Sequence, residues 1–346
     1  MPPIREVLVP LDGSRAAESA LRHARALARP LDARLHLIRV VCSSEPGGES
    51  DPVRWRLERA DAREYLRETA RRLEDDGFEV ERSVLAGGPA DEIVSYARRE
   101  GVDVVVLTPT GEGRCRGAPV GGTAHKVIYR IGTSVLLARP DGARPGDTGP
   151  SADGDEYRRV LVPVDGSPAS EWALHAAASL LPDSGGELLA ACAVEADGPA
   201  EEETATAGRG ERPNGAPRPG LRDEADSFLE KARRQLDRPG LQLDSEVIPA
   251  AHVAQRLHAL AEERDADLVL LSAHGWSGEA PWPYGSVATN LLMHGQRPTL
   301  VLQDQPETRR AEPPAREEPV RPVRTRPRAP GTPRAADGDG SSPPGS

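Results

Sequence analysis

Val7 to Ser14 reads VLVPLDGS, and Val160 to Ser167 reads VLVPVDGS. Seven of the eight positions are identical, at an offset of 153 residues. In both, an apolar run too short for a helix ends at Asp-Gly-Ser, which reads as a buried strand entering a turn. Asp103-Val-Val-Val-Leu107 and Asp267-Leu-Val-Leu-Leu271 form a second pair, now 164 residues apart, and Gly121 and Gly285 keep that offset. The extra 11 residues therefore enter the second copy before Asp267. Their expected place is Glu195–Leu221, which is rich in Gly, Pro, Glu and Thr and has no periodicity. A unit of this length is a duplicated domain, since solenoid repeats run about 20–50 residues.

Outward from the first quoted strand, apolar runs alternate with amphipathic stretches. Ala17, Ala20, Leu21, Ala24, Leu27 and Ala28 recur at helical spacing, with Glu18, Arg22 and Arg25 on the other face. Leu35–Val41 reads as a strand broken only by His36 and Arg39. A longer helix follows, with Leu57, Ala60, Leu66, Ala70 and Leu73 as its apolar positions. Strand, helix, strand, helix and a last strand complete the copy at Phe78–Leu85, Ala90–Arg99, Val102–Leu107, Lys126–Arg130 and Ser134–Leu137. The second copy repeats the order.

An order βαβαβαβαβ, with strands apolar on both faces, predicts α/β architecture: two doubly wound domains, each with a five-stranded parallel sheet covered on both sides. The two copies are expected to pack as an intramolecular pseudo-dimer, with Ser134–Leu137 and Thr299–Leu302 as edge strands that cover each other. The expected boundaries are residues 1–140, a linker at 141–157, residues 158–303, and a tail at 304–346. The tail has ten prolines and almost no large apolar residues, a composition that cannot offset ordering entropy.

The chain has 346 residues, 37% hydrophobic, 29% charged and 3% aromatic, with 34 Gly and 34 Pro. No run of about 18 apolar residues exists, so no membrane-spanning helix is expected. The N-terminus lacks the pattern of a secretory signal, and Cys42, Cys115 and Cys192 form neither a disulfide framework nor metal spacing. A cytoplasmic location is the expectation. A net charge of −11 argues against broad nucleic-acid binding. Histidines form no ligand cluster, so no zinc-type metal site is expected.

Ligands of such sheets bind beyond the carboxyl ends of the strands, at the switch point. Asp12 and Asp165 stand there, able to accept from a ribose hydroxyl or a base amine, or to serve locally as caps. Ser14 and Ser167 read first as helix N-caps. In the second copy, Ser272-Ala-His-Gly275 is followed nine residues later by Gly285-Ser286, after a buried strand and before a helix. Glycines there let backbone N–H groups approach a phosphate, and the helix N-terminus favours its charge. Trp276, Trp282 and Tyr284 in the intervening loop read first as a loop packing onto its own domain, with a stacking lid as the alternative. Cys115, between Arg114 and Arg116, reads as an incidental thiol or a redox group.

These marks together resemble a tandem universal stress protein. The resemblance covers roughly residues 4–139 and 157–303, and implies the adenine-nucleotide α-hydrolase-like fold. Nucleotide-binding members of that family hold ATP phosphates on a loop of Gly, two residues, Gly, nine residues, then Gly-Ser or Gly-Thr. Carried over, the resemblance implies an adenine-nucleotide site with ATP as the cofactor, formed by Asp165, Val194, Gly275, Gly285 and Ser286. Val194 is the residue-type match, since the offset of 153 lands on Ala193. The first family glycine is Ser272 here. The first copy departs further, with Thr108 and Gly122 at the two ends of the motif, unless Thr123 supplies the hydroxyl by a one-residue slip. Its weaker counterparts are Asp12, Val40, Gly111 and Gly121. The function implied is a stress-response regulatory binding protein, not an enzyme. The alternative is a scaffold of the same fold without nucleotide. Protein partners are unspecified, and single-domain relatives commonly dimerise, so a homo-oligomer is an open expectation.

Overall fold

A computed structural model describes residues 4–42, 52–111, 120–139, 150, 156–194, 221–236, 238–249, 252–275 and 283–303. The expected insertion, most of the linker, Cys115, Trp276, Trp282 and the tail at 304–346 lie outside the described residues.

In the first copy, β1 (Glu6–Pro10) leads to α1 (Arg15–Ala28), β2 (Arg34–Val41), α2 (Pro52–Asp75), β3 (Val80–Ala86), α3 (Pro89–Arg99), β4 (Val104–Leu107), α4 (Gly122–Arg130) and β5 (Ser134–Leu137). In the second, β6 (Arg159–Val164) leads to α5 (Pro168–Leu180), β7 (Gly186–Val194), α6 (Leu221–Gln235), β8 (Leu241–Pro249), α7 (Val253–Glu263), β9 (Leu268–Ser272), α8 (Ser286–His294) and β10 (Thr299–Leu302). Val7, Leu8 and Val9 are fully buried, as are Val104, Val105 and Val106. Strands buried on both faces need helices on both faces, and the sheet supplies them.

The ten strands form one sheet in the order β3-β2-β1-β4-β5-β10-β9-β6-β7-β8. Within each copy every pairing is parallel. The copies join through the antiparallel pair β5–β10, with Leu300 opposite Leu136 and Val301 opposite Val135. The two expected edge strands therefore cover each other, and the two five-stranded sheets become one mixed sheet. One core, beneath α1, α2, α5 and α6, draws residues from both copies; a second lies under α3, α4, α7 and α8.

Polar bonds also cross the seam. The backbone N–H of Gln303 donates to Ser134 Oγ at 3.1 Å, and Arg139 donates to the Leu292 carbonyl near the end of α8. His23 Nδ1, on α1, lies 2.9 Å from the hydroxyl of Tyr157, which precedes β6. Both side chains are buried, and burial pushes His23 down to about 3.

The paired aspartates of the repeat have a structural role. Asp103 Oδ2 accepts from the N–H groups of Arg5 and Glu6, and Asp267 Oδ2 from those of Arg158 and Arg159, all at 2.7–3.0 Å. Each pins the leading edge of the neighbouring central strand.

The apolar face of α2 differs from the expectation. Ala62, Leu66, Thr69, Ala70 and Leu73 are buried, but Leu57 is 59% exposed and Ala60 is also exposed. The helix begins ten residues before its first buried side chain, so its first turns overhang the sheet and Leu57 turns away from it. Among the described residues, no helix is long and apolar enough to cross a membrane.

Candidate functional site

The strand order reverses between β1 and β4, and again between β6 and β9. The loops after those strands meet at the carboxyl edge of the sheet. In the second copy, Gly166 takes a left-handed φ of 79°, which lets the chain turn from β6 toward α5. Asp165 Oδ1 accepts from the Ser167 N–H at 3.0 Å across this turn. Ser167 is the N-cap of α5, its hydroxyl accepting from the Ser170 N–H at 3.1 Å. Asp12, Gly13, Ser14 and Ala17 repeat the arrangement, with Oδ1 of Asp12 2.9 Å from the Ser14 nitrogen. The serines are thus helix caps in both copies, and each aspartate shapes the turn with one oxygen.

The other oxygen meets the glycine loop. A Cβ placed on Gly275 would overlap Asp165 Oδ2, and one placed on Gly111 would overlap Asp12 Oδ2. The loop itself closes at its base, where the Gly285 N–H donates to the Ala273 carbonyl at 2.8 Å. Gly121 donates to Pro109 in the same way. Gly285 is the N-cap of α8 and Gly121 that of α4, and neither helix has a side-chain cap. Their leading N–H groups remain available to an anion.

Ser286 opens α8 with an exposed side chain. At the matching place α4 has Gly122, and the two N-caps coincide, so Thr123 stands one position further on and no slip restores the hydroxyl. Ser272 does not crowd this space: it ends β9, and its hydroxyl donates to the His274 carbonyl at 3.0 Å. Tyr284 is buried in the second core, as a loop packing onto its own domain requires. Among the described residues no group of three or more His, Cys, Asp or Glu is placed to hold a metal.

Sheet register shows which residue of the second copy is equivalent to Val40. Pro163 pairs with Ala191 and Pro10 with Ile38, so Ala193, not Val194, stands where Val40 stands in the first copy. Val40 and Ala193 both pack half-buried against the second core. A match by residue type cannot survive a one-residue shift along a strand, because the shift exchanges the faces. The same register sets Cys192 at the place of Arg39. Burial, with Asp165 and Asp226 nearby, pushes the Cys192 thiol up to about 11.

The profile of the universal stress protein family matches residues 3–139 and again 156–303. The chain belongs to the universal stress protein family. It carries two copies of the universal stress protein domain, in line with relatives that span both. A universal stress protein of Mycobacterium tuberculosis is 27% identical over 325 residues, covering 86% of this chain and 94% of its own. One from Methanocaldococcus jannaschii is 28% identical over 139 residues, 39% of this chain and 82% of its own. Among solved structures, a universal stress protein from Archaeoglobus fulgidus superposes with a TM-score of 0.57 at 19% identity, covering 86% of this chain and 98% of that one. That likeness speaks to the fold.

Two stacked arginine–aromatic groups, Arg39 on Tyr65 and Arg59 on Trp55, drew no notice in the sequence. Arg39 interrupts the apolar run of β2, which was its only signal. The stacked pair Trp55 and Arg59 lies in a helix whose polar composition gave none.

Proposed function

We propose that this universal stress protein is a regulatory binding protein whose second copy holds an adenine nucleotide, with ATP as the first ligand to test. The observation that carries the reading is the meeting of Asp165 with Gly275 beside the uncapped N-terminus of α8, where Ser286 adds an exposed hydroxyl. Asp165 would accept from the ribose or base, Gly275 would let the backbone approach, and the N–H groups of α8 with Ser286 would take the phosphates. The first copy repeats the carboxylate and the glycines but lacks the hydroxyl, so it ranks second. At least one universal stress protein takes an adenine nucleotide, having been solved in complex with cAMP. The role is binding and conformational choice of partners, not turnover.

Calorimetric titration of ATP, ADP and cyclic AMP into the full chain tests this. Gly285→Val is expected to abolish binding, and Ser286→Ala to weaken it by about 0.5–3 kcal/mol, depending on whether the hydroxyl meets a charged oxygen. Full binding in Gly285→Val would move the site to the first copy. No binding to the unaltered chain would leave a scaffold, a reading that the bare Gly122 position already favours for the first copy.

A further inference from the structure

The opening of α8, where the second copy's candidate site lies, is held from across the seam. β10 runs antiparallel to β5, so the end of β10 lies beside the start of β5. There the buried Ser134 hydroxyl of the first copy accepts from the Gln303 N–H at 3.1 Å. The carbonyl of the same peptide group, that of Leu302, accepts from the Ala273 N–H at 2.7 Å. The Ala273 carbonyl accepts in turn from the N–H of Gly285, the N-cap of α8, at 2.8 Å. A second branch leaves Gln303 itself: its side-chain amide donates to the Pro283 carbonyl at 2.7 Å, two residues before that cap.

The bonds therefore run from Ser134 in the first copy to the turn that opens α8 in the second. Ser134, Leu302 and Ala273 are all buried. Hydrogen bonds in such a place are stronger than in water and polarise one another, and a partner left without its bond there carries the full cost of its lost hydration.

The reverse chain is broken at two places. Pro298 stands 164 residues after Ser134 and has no hydroxyl to offer the first copy. Pro109 stands 164 residues before Ala273 and has no N–H for the Ala138 carbonyl. The Gly121 N–H still donates to the Pro109 carbonyl, but the proline nitrogen cannot carry the chain on to the seam. Arg139 is the counterpart of Gln303, and it too serves α8, donating to the Leu292 carbonyl near the far end of that helix. Among the described residues, neither Arg139 nor Gln303 is hydrogen-bonded to α4. Support passes from the first copy to the second and not back.

We propose that the first copy sets the nucleotide affinity of the second, with Ser134 and Gln303 as positioning residues for the turn that opens α8. They act through Ala273, Pro283 and Gly285, which fix where the leading N–H groups of α8 point. The proposal rests on the nucleotide reading of the second copy.

Two measurements on the full chain test it. Amide hydrogen exchange followed by NMR reports the Gly285 N–H directly, and the Gly121 N–H is its counterpart in the first copy. Ser134→Ala and Gln303→Ala are each expected to speed exchange at Gly285 at least tenfold and to leave Gly121 unchanged. General destabilisation would speed both. Calorimetric titration of ATP should show at least a fivefold loss of affinity in each variant. Unchanged exchange at Gly285 in either variant, equal acceleration at Gly121, or wild-type affinity for ATP in either variant overturns the proposal. A wild type that binds no ATP overturns the nucleotide reading and the claim on affinity with it, while exchange at Gly285 still decides whether Ser134 and Gln303 position the turn.

Discussion

The carboxylate of Asp165 rests against the α-carbon of Gly275, so that the loop after β6 and the loop after β9 touch with no side chain between them. Asp12 and Gly111 stand in the same relation 153 and 164 residues earlier. The aspartate is held on one oxygen by its own turn, and its other oxygen occupies the place a side chain on the glycine would need. The crevice at each switch point is thus set by a contact between two loops that are more than 90 residues apart in the chain.

Gly275→Ala should destabilise the second copy and weaken ATP binding, because the added methyl meets the Asp165 carboxylate. The overlap is with that one group, so Asp165→Ala should relieve the stability cost. A double-mutant cycle in urea is expected to give a coupling of about 1–3 kcal/mol. A cycle that closes additively would show that the loops do not touch in solution.

Stability should fall as the pH drops below about 6.5. His23 is held neutral by burial, with a folded value of about 3. The unfolded chain binds a proton near pH 6.5 that the folded chain refuses, so stability rises with pH across that window and is lost on acidification. The contribution is on the order of 2 kcal/mol between pH 8 and pH 5. The variant His23→Gln, which does not titrate, should show a flatter dependence in urea melts at both pH values.

Asp267→Ala leaves the N–H groups of Arg158 and Arg159 without their acceptor at the leading edge of β6. A cost of about 2–4 kcal/mol is expected, since a charged acceptor and two bonds are lost together. Asp267→Asn retains an acceptor oxygen and should cost less. Chemical denaturation of both variants ranks them, and equal values would mean that charge matters more than geometry.

The two copies should unfold in one transition. Their sheet is continuous through β5 and β10, and one core draws on both. The described residues of both copies fall in a single compact unit. Tryptophan fluorescence and far-ultraviolet circular dichroism should report the same midpoint in guanidinium. Two separated midpoints would show copies that are stable alone.

The repeat, the alternation of strands and helices, and the switch-point loops were legible in the sequence. VLVPLDGS and VLVPVDGS place a buried strand, a turn and a cap within eight residues, so local chemistry sufficed. Ser14 and Ser167 could be read as caps because an N-cap bonds only three residues ahead. Gly275 and Gly285 could be read as loop glycines for a similar reason: spacing alone carries the signal. The position of Val40 was harder to carry over. The repeat offset pointed to Ala193 and the residue type to Val194, and the pairing of β6 with β7 sides with the offset.

The inward face of α2 was misjudged at Leu57 because apolar spacing assumes a helix that lies on the sheet for its whole length. The first turns of α2 extend past the sheet, and nothing in their sequence says where the strands end. In that overhang Arg59 stacks on Trp55, and the sheet brings Arg39 against the Tyr65 ring.

By itself the sequence determined the duplicated α/β domains and the Asp and Gly positions of the crevice. Those rest on hydrophobic period, turn chemistry and capping, all of which act within a few residues. Only the tertiary structure decided that Asp165 meets Gly275, that β5 and β10 close the sheet, that His23 is buried against Tyr157, and that Arg39 stacks on Tyr65. These are contacts between distant segments, set by register and by how far each helix extends beyond the strands. Side-chain burial and pairing follow from them, and no local pattern encodes either.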